Sequence, residues 1–526
     1  MKKFNTSVVC NPQKHYMVDI SEKLNRIIER YIEPGNYFAI NRGRQYGKTT
    51  TLSALASRLH DRYYCLQISF EWADSMFESE YRLASGFISR VRKELTLEHV
   101  PEELIREWDR TIDEKDPLTD LDRRITDLCA GSDREIILMI DEVDRASNNQ
   151  TMLQLLGLLR DKYIQREKGR DSTFHSVILA GVYDIKNLKM RIRSEEVHQY
   201  NSPWNVAVKF EEDLSFSPRE IEGMLQEYEA DYHTGMDICS VSELIYDYTS
   251  GYPVLVSDIC KHLDENIAGT ASFSDRTEAW SPKGITEAVR MIEHEKIPLF
   301  EDMIKQLTDY PELKDVVKRI LFEGESIAFN AYNDVLNLAK MFDYIKSVNG
   351  RVAVSNRIFE VVLYDYFLSE EETGNITKKD AELNKSQFIV NGHLDMEAVL
   401  CKFAEHYGSV YADNDQRFVE KFARKIFLMY LKPIINGTGN YYIEAQTRDE
   451  KRTDIIVDYH AEQFLVETKI WYGPKYNEDG EKQLCAYLDR LNLQKGYLLT
   501  FSFNKNKQTG VQERIFGDKT LLEITV

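Results

Sequence analysis

The 526-residue chain is predicted to be an α/β protein, with a parallel sheet in its first part and a second α/β domain at its end. Three features predict this fold class. Short apolar runs alternate with helical periodicity up to about residue 210, which is typical of a parallel sheet with helices on both faces. Helical periodicity alone then continues to Phe367. Strand-like runs return after residue 440.

Apolar runs in the sequence locate the predicted strands in order. The first sheet is predicted from five runs, of which the last is the weakest: 37–40, 63–70, 134–144, 176–182 and 206–210. The second is predicted from four runs, with a helix over about 482–491 before the last: 441–443, 453–457, 463–469 and 496–501. Shifts in this pattern divide the chain into residues 1–216, a helical and winged-helix region 217–368, a polar linker 369–385 and a domain 386–526.

Composition places the chain among ordinary globular proteins, with 43% apolar and 29% charged residues. The net charge of −20 argues against coating nucleic acid by bulk attraction. From residue 400 onward, however, basic and acidic residues are equal in number, at 18 each. Seven scattered cysteines without a C-x-x-C pair, no secretion signal and no membrane-spanning run predict a cytoplasmic protein with reduced thiols.

The segment Asn41–Thr50, NRGRQYGKTT, lies between a predicted strand and a predicted helix. Such a turn through Gly-Lys-Thr builds a phosphate cradle, in which backbone N–H groups face the anion, Lys48 supplies charge and Thr49 offers a hydroxyl to Mg²⁺. The spacing is imperfect, because Arg42 stands where the first glycine of the pattern belongs and Gly43 comes one place late. The alternative is a chance Gly-Lys pair in a basic turn.

The third apolar run ends in Asp141-Glu142. Buried parallel strands deliver such residues to the carboxyl edge of the sheet, where ligands bind. Asp141 is therefore predicted to hold Mg²⁺, and Glu142 to orient or deprotonate the attacking water. By itself the segment could equally be a core strand followed by a solvated acidic turn.

Three weaker signals surround the predicted nucleotide site. Asp184, after the fourth run, could sense a phosphate, although a turn or cap is equally compatible with it. Arg191 and Arg193 could act as arginine fingers, but solvated charges at a helix end are the more common interpretation. Gly251-Tyr252-Pro253 reads as a glycine helix end followed by a proline helix start, which could also place backbone against a nucleotide.

A second constellation lies near the C-terminus. Asp454 begins one predicted strand, and Glu467 and Lys469 lie on one face of the next. Two carboxylates that meet across a hairpin suit Mg²⁺ or Mn²⁺, and a neighbouring Lys can stabilise a hydroxide or developing negative charge. Alternating charges on an exposed strand would give the same pattern. Gln483 and Glu420, on flanking helical segments, could add to such a site.

Residues 1 to about 370 resemble the AAA-ATPase-like proteins of bacteria and archaea, which are P-loop ATPases of the signalling-switch type. The resemblance depends on five motifs: 15–19, 41–52, 139–144, 201–205 and 251–253. It implies ATP and Mg²⁺ as cofactors. It also implies nucleotide contacts by these residues: Arg44, Gly47, Lys48, Thr49, Thr50, Asp141, Gly251 and Pro253. Relatives often lack the first glycine of the loop.

From about residue 386 the chain resembles the PD-(D/E)XK nuclease superfamily. Asp454, Glu467 and Lys469 match the motif's acidic residues and lysine, Gln483 the glutamine of the following helix, and Glu420 the N-terminal acidic residue. Thr453 stands where a proline is often found. The resemblance implies a metal-dependent nuclease whose metal would be held by Asp454, Glu467 and Glu420.

Together these features predict an ATP-regulated nuclease that acts on DNA, in defence or mobile-element biology by family analogy. The expected partners are ATP and DNA, with no membrane, and assembly into a homo-oligomer is compatible with the family. Two other hypotheses remain open. One is a nucleotide-dependent switch or scaffold whose C-terminal domain binds without cleaving. The other is an inactive ATPase that only senses nucleotide.

Overall fold

The computed structural model describes most of the chain in two compact units. The described residues are 2–7, 9–143, 150–182, 204, 206–323, 327–372, 388–390, 392–410, 420–435, 439–443, 454–460, 462–470, 481, 484, 485, 488, 489, 491, 493–502 and 510–526. The first unit comprises Met1–Glu227, Tyr252–Val254 and Met341–Asp343, and the second Tyr228–Gly251, Leu255–Lys340 and Tyr344–Val526.

The first unit contains a parallel sheet of four strands. Their bounds are β1 Tyr37–Asn41, β2 Tyr64–Ser69, β3 Ile136–Asp141 and β4 Ser176–Gly181. The strand order is β1-β4-β3-β2, and every pairing in it is parallel. Strand β4 therefore lies between the strand that leads into Asn41–Thr50 and the strand that ends in Asp141. Beyond β1, Val208 makes an isolated parallel bridge with Phe38.

Helices of the first unit connect these strands. Their bounds are α1 Ser21–Ile27, α2 Lys48–Leu59, α3 Glu80–Leu97, α4 Glu102–Trp108, α5 Pro117–Gly131 and α6 Gln150–Glu167. Side-chain caps fix two of the starts, since Ser79 accepts a hydrogen bond from the amide of Arg82, and Asp116 from that of Thr119. The helices follow strands in alternation, as a parallel sheet requires.

Both faces of this sheet are buried. On one face Phe38, Met139 and Ile178 pack with residues of α1 and α2. On the other face Leu138 and Leu179 pack with residues of α3, α5 and α6. Burial on both sides explains why these strands are continuous apolar runs instead of alternating ones.

Residues 218–372 are mostly helical. The helices are Pro218–Tyr232, Ile238–Thr249, Pro253–His262, Arg276–Ala279, Pro282–His294, Pro298–Asp309, Pro311–Glu323, Asp334–Met341 and Arg357–Glu372. Several begin with proline, whose missing N–H costs nothing in the first turn. An antiparallel hairpin of β5 Ile345–Val348 and β6 Arg351–Val354 precedes the last helix.

The C-terminal part of the second unit contains a mixed sheet of six strands. After the short hairpin of β7 Ile389–Val390 and β8 His393–Leu394 come helices Met396–Val410 and Glu420–Ile435. The sheet strands are β9 Gly439–Ile443, β10 Asp454–Tyr459, β11 Glu462–Ile470, β12 Lys495–Phe501, β13 Gly510–Phe516 and β14 Lys519–Thr525. Their order is β13-β14-β12-β11-β10-β9.

Strand β11 lies inside this sheet. It pairs antiparallel with β10 and parallel with β12. The parallel pair needs a crossover connection, and residues 481, 484, 485, 488 and 489 between the two strands are helical. The helix predicted over about 482–491 falls on this crossover.

The predicted parallel sheet with helices on both faces is confirmed. The fifth strand, predicted over 206–210, is reduced to the single bridge at Val208, whose side chain is 39% exposed. The sequence predicted neither β13 nor β14. All seven cysteines are free thiols. Within the described part of the chain, no helix combines the length and apolar character that a bilayer crossing requires.

Candidate functional site

The loop between β1 and α2 turns sharply at Gly47. This residue has φ 78° and immediately precedes Lys48, the first residue of α2. A Cβ at Gly47 would meet no atom within 4 Å. The glycine is therefore required by the left-handed backbone and not by lack of space. The residues after Gly47 form the first turn of α2, and the free N–H groups of a helix's first turn favour an anion.

The Lys48 side chain is buried against the loop. Its Nζ donates hydrogen bonds to the carbonyl oxygens of Arg42 at 3.0 Å and Gly43 at 2.8 Å. The ammonium is thus held over the start of the loop by backbone groups. A lysine held in this way loses little side-chain freedom when it neutralises an anion at the loop.

The structure brings Thr49 and Asp141 together, although 92 residues separate them in sequence. The Thr49 hydroxyl donates to Oδ2 of Asp141 at 2.5 Å, and Asp141 ends β3 with its side chain buried. Glu142 follows with φ 55° and donates its amide to Asp141 Oδ1 at 2.9 Å. A non-glycine residue with positive φ costs about 1 kcal/mol, and such strain is concentrated at functional sites. The predicted pair of carboxylates therefore lies at the phosphate loop.

The remaining residues of the predicted nucleotide site have other contacts. Thr50 Oγ1 accepts a hydrogen bond from the amide of Cys10 at 3.3 Å, and the Arg44 carbonyl accepts one from the Tyr252 hydroxyl at 2.6 Å. Gly251 has φ 74°, and Pro253 begins helix Pro253–His262. Asp184, Arg191 and Arg193 lie outside the described residues.

Two further residues contact the loop, and both belong to the same compact unit as the loop. Sequence analysis named Tyr252 only as part of the Gly251-Tyr252-Pro253 turn, without a contact of its side chain, and did not name Asp343. The Tyr252 ring packs edge-on against Tyr46, with centroids 4.7 Å apart. Oδ2 of Asp343 accepts the Gly43 amide at 2.8 Å. A Cβ at Gly43 would lie 2.3 Å from this oxygen and 3.1 Å from the Tyr252 hydroxyl. No sequence motif marks contacts over such separations.

These contacts give a physical reason for the shifted glycine. Arg42 extends β1, since its amide donates to the Gly181 carbonyl at 3.2 Å, and its guanidinium donates to the Glu212 carbonyl at 2.8 Å. The residue that must be small is Gly43, because a carboxylate approaches its backbone. The departure from the usual spacing therefore coincides with a close packing contact.

Strands β10 and β11 bring together the residues of the C-terminal constellation. Asp454 lies directly opposite Glu467 in the antiparallel register, and Lys469 is on the same face. Lys469 Nζ is 3.1 Å from Glu467 Oε1, and the two side chains are 5% and 0% exposed. A buried ion pair of this kind costs desolvation, and such placements are typical of functional sites.

The same face of the sheet carries polar groups that the sequence analysis did not single out. Thr500 pairs with Lys469 in the parallel register, and its hydroxyl donates to Glu523 Oε1 at 3.0 Å. Arg514 donates to Glu523 Oε2 at 3.0 Å. Glu523 was missed because β14 itself was not predicted. The buried polar row thus extends over three adjacent strands.

Three predicted residues of this constellation lie partly or wholly outside the described parts of the chain. Glu420 is the first residue of helix Glu420–Ile435, and its side chain lies outside the described parts of the chain, as does that of Asp454. Gln483 lies wholly outside the described residues.

Strand β10 is also tied to the helical part of the second unit. Tyr248 donates its hydroxyl to Asp458 Oδ2 at 3.1 Å, and both side chains are buried. Burial, together with the nearby charges of Asp365 and Asp458, raises the pKa of Glu293 well above its usual range. Carboxylates therefore crowd the end of β10 opposite Asp454.

The chemistry of both donor sets fits a hard divalent cation. At the loop, a hydroxyl and a carboxylate oxygen meet at one point, and Mg²⁺ prefers such oxygen ligands. At the C-terminal sheet, Asp454 and Glu467 are cross-strand neighbours. Among the described residues, no group of three His, Cys, Asp or Glu side chains is arranged as a complete metal site. Any ion there would depend on substrate, water or other parts of the chain for further ligands.

Comparison with known structures finds distant likenesses. The Walker-type ATPase PABY2304 of Pyrococcus abyssi is 14% identical, with a TM-score of 0.42, over 68% of this chain and 99% of that chain. The Aeropyrum pernix ORC1 protein in complex with DNA is 13% identical, with a TM-score of 0.30, over 68% and 96%. The Thermotoga maritima RuvB Holliday junction branch migration motor is 11% identical, with a TM-score of 0.32, over 64% and 92%. No curated protein matches the chain significantly.

Comparison with protein families gives a direct assignment for the first part of the chain. The family described as AAA-like domain matches residues 7–365, which include the loop, Asp141-Glu142 and the two residues found on the loop, Tyr252 and Asp343. Residues 366–526 lie outside this match. With its P-loop, its four-stranded parallel sheet and this match, the chain belongs to the AAA-like domain family of P-loop ATPases.

Proposed function

We propose that the chain is an ATPase whose nucleotide cycle regulates a metal-dependent nuclease in its C-terminal domain. The observation that carries the first half is the meeting of Lys48, Thr49 and Asp141 at one loop. The second half rests on the register that sets Asp454 opposite Glu467, with Lys469 on the same face.

Each residue at the loop has a role in this proposal. Loop amides and Lys48 bind and neutralise the triphosphate, and Thr49 with Asp141 would hold Mg²⁺. Glu142 orients the attacking water and accepts its proton. The ion, when bound, supplies Lewis-acid stabilisation of the phosphate oxygens. The direct contact between Thr49 and Asp141 supports this assignment, because both oxygens must face the same point.

ATP turnover by purified full-length protein tests this half. Lys48→Ala is expected to lower turnover about 10²–10³-fold, since it removes a preorganised charge. Glu142→Gln is expected to lower turnover similarly but to retain ATP binding, because the amide keeps the shape and loses the base. Lys402→Ala is the control, since Lys402 is an exposed lysine of helix Met396–Val410 that pairs with Glu405. Equal turnover in wild type and Lys48→Ala would contradict the proposal.

The proposed nuclease cleaves DNA phosphodiester bonds. Asp454 and Glu467 would hold Mg²⁺ or Mn²⁺, and Lys469 stabilises the nucleophile or the developing charge. The buried position of the Lys469–Glu467 pair supports this role, since an ammonium in low dielectric acts strongly on a neighbouring oxyanion. Equal numbers of acidic and basic residues after residue 400 make this part of the chain the least repulsive to DNA.

Cleavage assays on plasmid, linear and single-stranded DNA, with Mg²⁺ or Mn²⁺ and with or without ATP, test this half. Asp454→Ala is expected to abolish cleavage and to leave DNA binding and ATP turnover in place. Lys48→Ala is expected to change only the dependence of cleavage on ATP. Intact DNA under every condition would refute the nuclease.

A second candidate function is a nucleotide-dependent switch whose C-terminal domain binds DNA without cutting it. One observation favours it: Glu467 and Lys469 are 0% and 5% exposed, so their charges are directed at each other and not at solvent. DNA binding without cleavage, unchanged by Asp454→Ala, would support this alternative over the nuclease.

A further inference from the structure

The carboxylate of Asp343 accepts a hydrogen bond from the phosphate loop. Asp343 lies 300 residues beyond Gly43 and accepts its amide N–H at 2.8 Å. The residues Met341–Asp343 belong to the first unit, whereas the chain on either side of them belongs to the second. The segment therefore departs from its sequence neighbours to reach the loop.

The loop residue at this contact is shared with Lys48. Gly43 donates its N–H to Asp343 and accepts Lys48 Nζ at its carbonyl oxygen, 2.8 Å away. One residue thus separates the carboxylate from the ammonium that serves the β- and γ-phosphates. The negative charge of Asp343 therefore lies on the same loop residue as the contact of Lys48.

The environment of Asp343 opposes its charge. Burial raises the pKa of its carboxyl group to about 6, against the lowering effects of the Gly43 amide, Arg42 and Lys48, while Asp213 adds repulsion. The phenol of Tyr46 also faces it. A further anion nearby, such as a γ-phosphate, disfavours the ionised carboxylate on the loop still more.

We propose that Asp343 senses which nucleotide is bound: its carboxylate holds the phosphate loop through the amide of Gly43, and the γ-phosphate of ATP repels it while ADP leaves it in place. This inference rests on the proposed ATP site and adds its regulation.

Tyr252 provides a comparison for Asp343, because it contacts the same loop without a charge. It also contacts the loop, through the Arg44 carbonyl at 2.6 Å, but it carries no charge at neutral pH. Removal of the Tyr252 hydroxyl should weaken ATP and ADP binding alike. Only a charged group on the loop can discriminate the two by repulsion.

The test compares affinities for ADP and a non-hydrolysable imido analogue of ATP, measured by calorimetry with Mg²⁺ on the full chain. Asp343→Asn keeps an acceptor for the Gly43 amide and removes the charge. We expect it to tighten binding of the ATP analogue about 5- to 30-fold and that of ADP less than about 3-fold, as expected for one partly screened charge. Asp61→Asn makes the same change in net charge at an exposed residue and should alter neither.

Gly43→Ala tests the contact from the loop side, because the added Cβ would lie 2.3 Å from Asp343 Oδ2 and displace it. It should also shift preference toward the ATP analogue. Equal effects of Asp343→Asn on both ligands, or weaker binding of the ATP analogue, would overturn the inference. If Lys48→Ala lost all nucleotide binding but Asp343→Asn kept the wild-type ratio of affinities for the ATP analogue and ADP, the ATP site would stand and the proposed role of Asp343 would be refuted. If the wild type bound neither ligand, the proposed ATP site itself would fail.

Discussion

The two candidate sites are built from different parts of the polypeptide. At the phosphate loop most ligand groups are backbone amides, and even Lys48 is held by two backbone carbonyls. At the C-terminal sheet the groups are side chains, with Asp454 opposite Glu467 and Lys469 paired to Glu467. The backbone site depends on local chain conformation, whereas the side-chain site depends on strand register and on the balance of buried charges.

This difference explains why the two sites differ in how well sequence identifies them. A loop of fixed backbone shape requires particular residues at fixed spacing, such as Gly47 with its φ of 78°. Carboxylates on strands require only a register, which many spacings can supply. The loop motif is accordingly specific, and the C-terminal motif is not.

A single isosteric change at the side-chain site should have an effect as large as that of Glu142→Gln at the loop, but on DNA cleavage instead of ATP turnover. Glu467→Gln is expected to lower DNA cleavage at least about 100-fold, because it removes a charged ligand and leaves Lys469 with a neutral partner. ATP turnover should stay within about two-fold of wild type. Glu462→Gln, at the start of the same strand, is the matched control and should leave cleavage unchanged. A comparable loss in both variants would mean that strand stability, and not the site, limits activity.

The carboxylate on the loop should leave a signature in stability against pH. Because folding raises the pKa of Asp343 from 3.8 to about 6, its contribution is fully present below pH 3.8 and is lost as pH rises through 6. Asp343→Asn removes this loss and should raise the free energy of unfolding at pH 7.5 by about 2 kcal/mol, with little gain at pH 4. Urea unfolding at both pH values measures this. The same gain at pH 4 and pH 7.5 would contradict the assignment.

A glycine substitution can separate the cost of a left-handed backbone from the cost of a steric clash at the phosphate loop. Gly47→Ala meets no steric obstacle, so its expected effect is the cost of left-handed alanine, about 1–2 kcal/mol of unfolding free energy measured by urea unfolding. Gly157→Ala in α6 also has open space but lies within a helix, so it should stabilise by about 0.5–1 kcal/mol. Similar effects of the two variants on unfolding free energy would contradict the assignment of the Gly47 effect to its left-handed backbone.

The smallest expected effect on stability comes from Glu293, which lies near the carboxylates of Asp365 and Asp458. Burial and the charges of Asp365 and Asp458 raise the pKa of Glu293, so its stabilising contribution is lost as pH rises through the folded-state pKa. Glu293→Gln mimics the protonated form and should stabilise the protein at pH 8 by roughly 0.5–1 kcal/mol. Thermal unfolding at pH 8 and pH 5 checks this, with a smaller gain expected at pH 5. Destabilisation at pH 8 would show that the ionised form is preferred.

Much of the first unit could be predicted from sequence because its strands are buried on both faces. The apolar runs that lead into Asn41 and Asp141 form β1 and β3, and the Thr49 hydroxyl donates a hydrogen bond to Asp141. Strand β13 was missed because its sequence, GVQERIF, is largely exposed and lacks an apolar run. Val208 was over-predicted for a related reason: apolar residues at a sheet edge do not require a full ladder.

The residues that sequence could not reveal act over long separations. Asp343 and Tyr252 reach the loop across 300 and 208 residues, and no local periodicity encodes such contacts. Glu523 joined the C-terminal row only because β14 pairs with β12. One signal was available in the sequence. The displaced glycine at position 43 is typical of a backbone position that another group approaches too closely for a side chain.

The interior position of β11 limits how the C-terminal site can be controlled. Strands β10 on one side and β12 on the other both pair with β11 at Glu467, whereas Lys469 lies beyond the start of β10 and pairs with Thr500 of β12. Repositioning the Glu467 backbone would therefore break two ladders at once. Amide protons from Leu465 to Glu467, which have partners on both neighbouring strands, should accordingly be among the slowest to exchange with solvent. In the proposed nuclease, a regulatory signal that acted by moving Glu467 would have to break both ladders. Under that proposal we expect regulation to act on substrate entry, with β11 already in place.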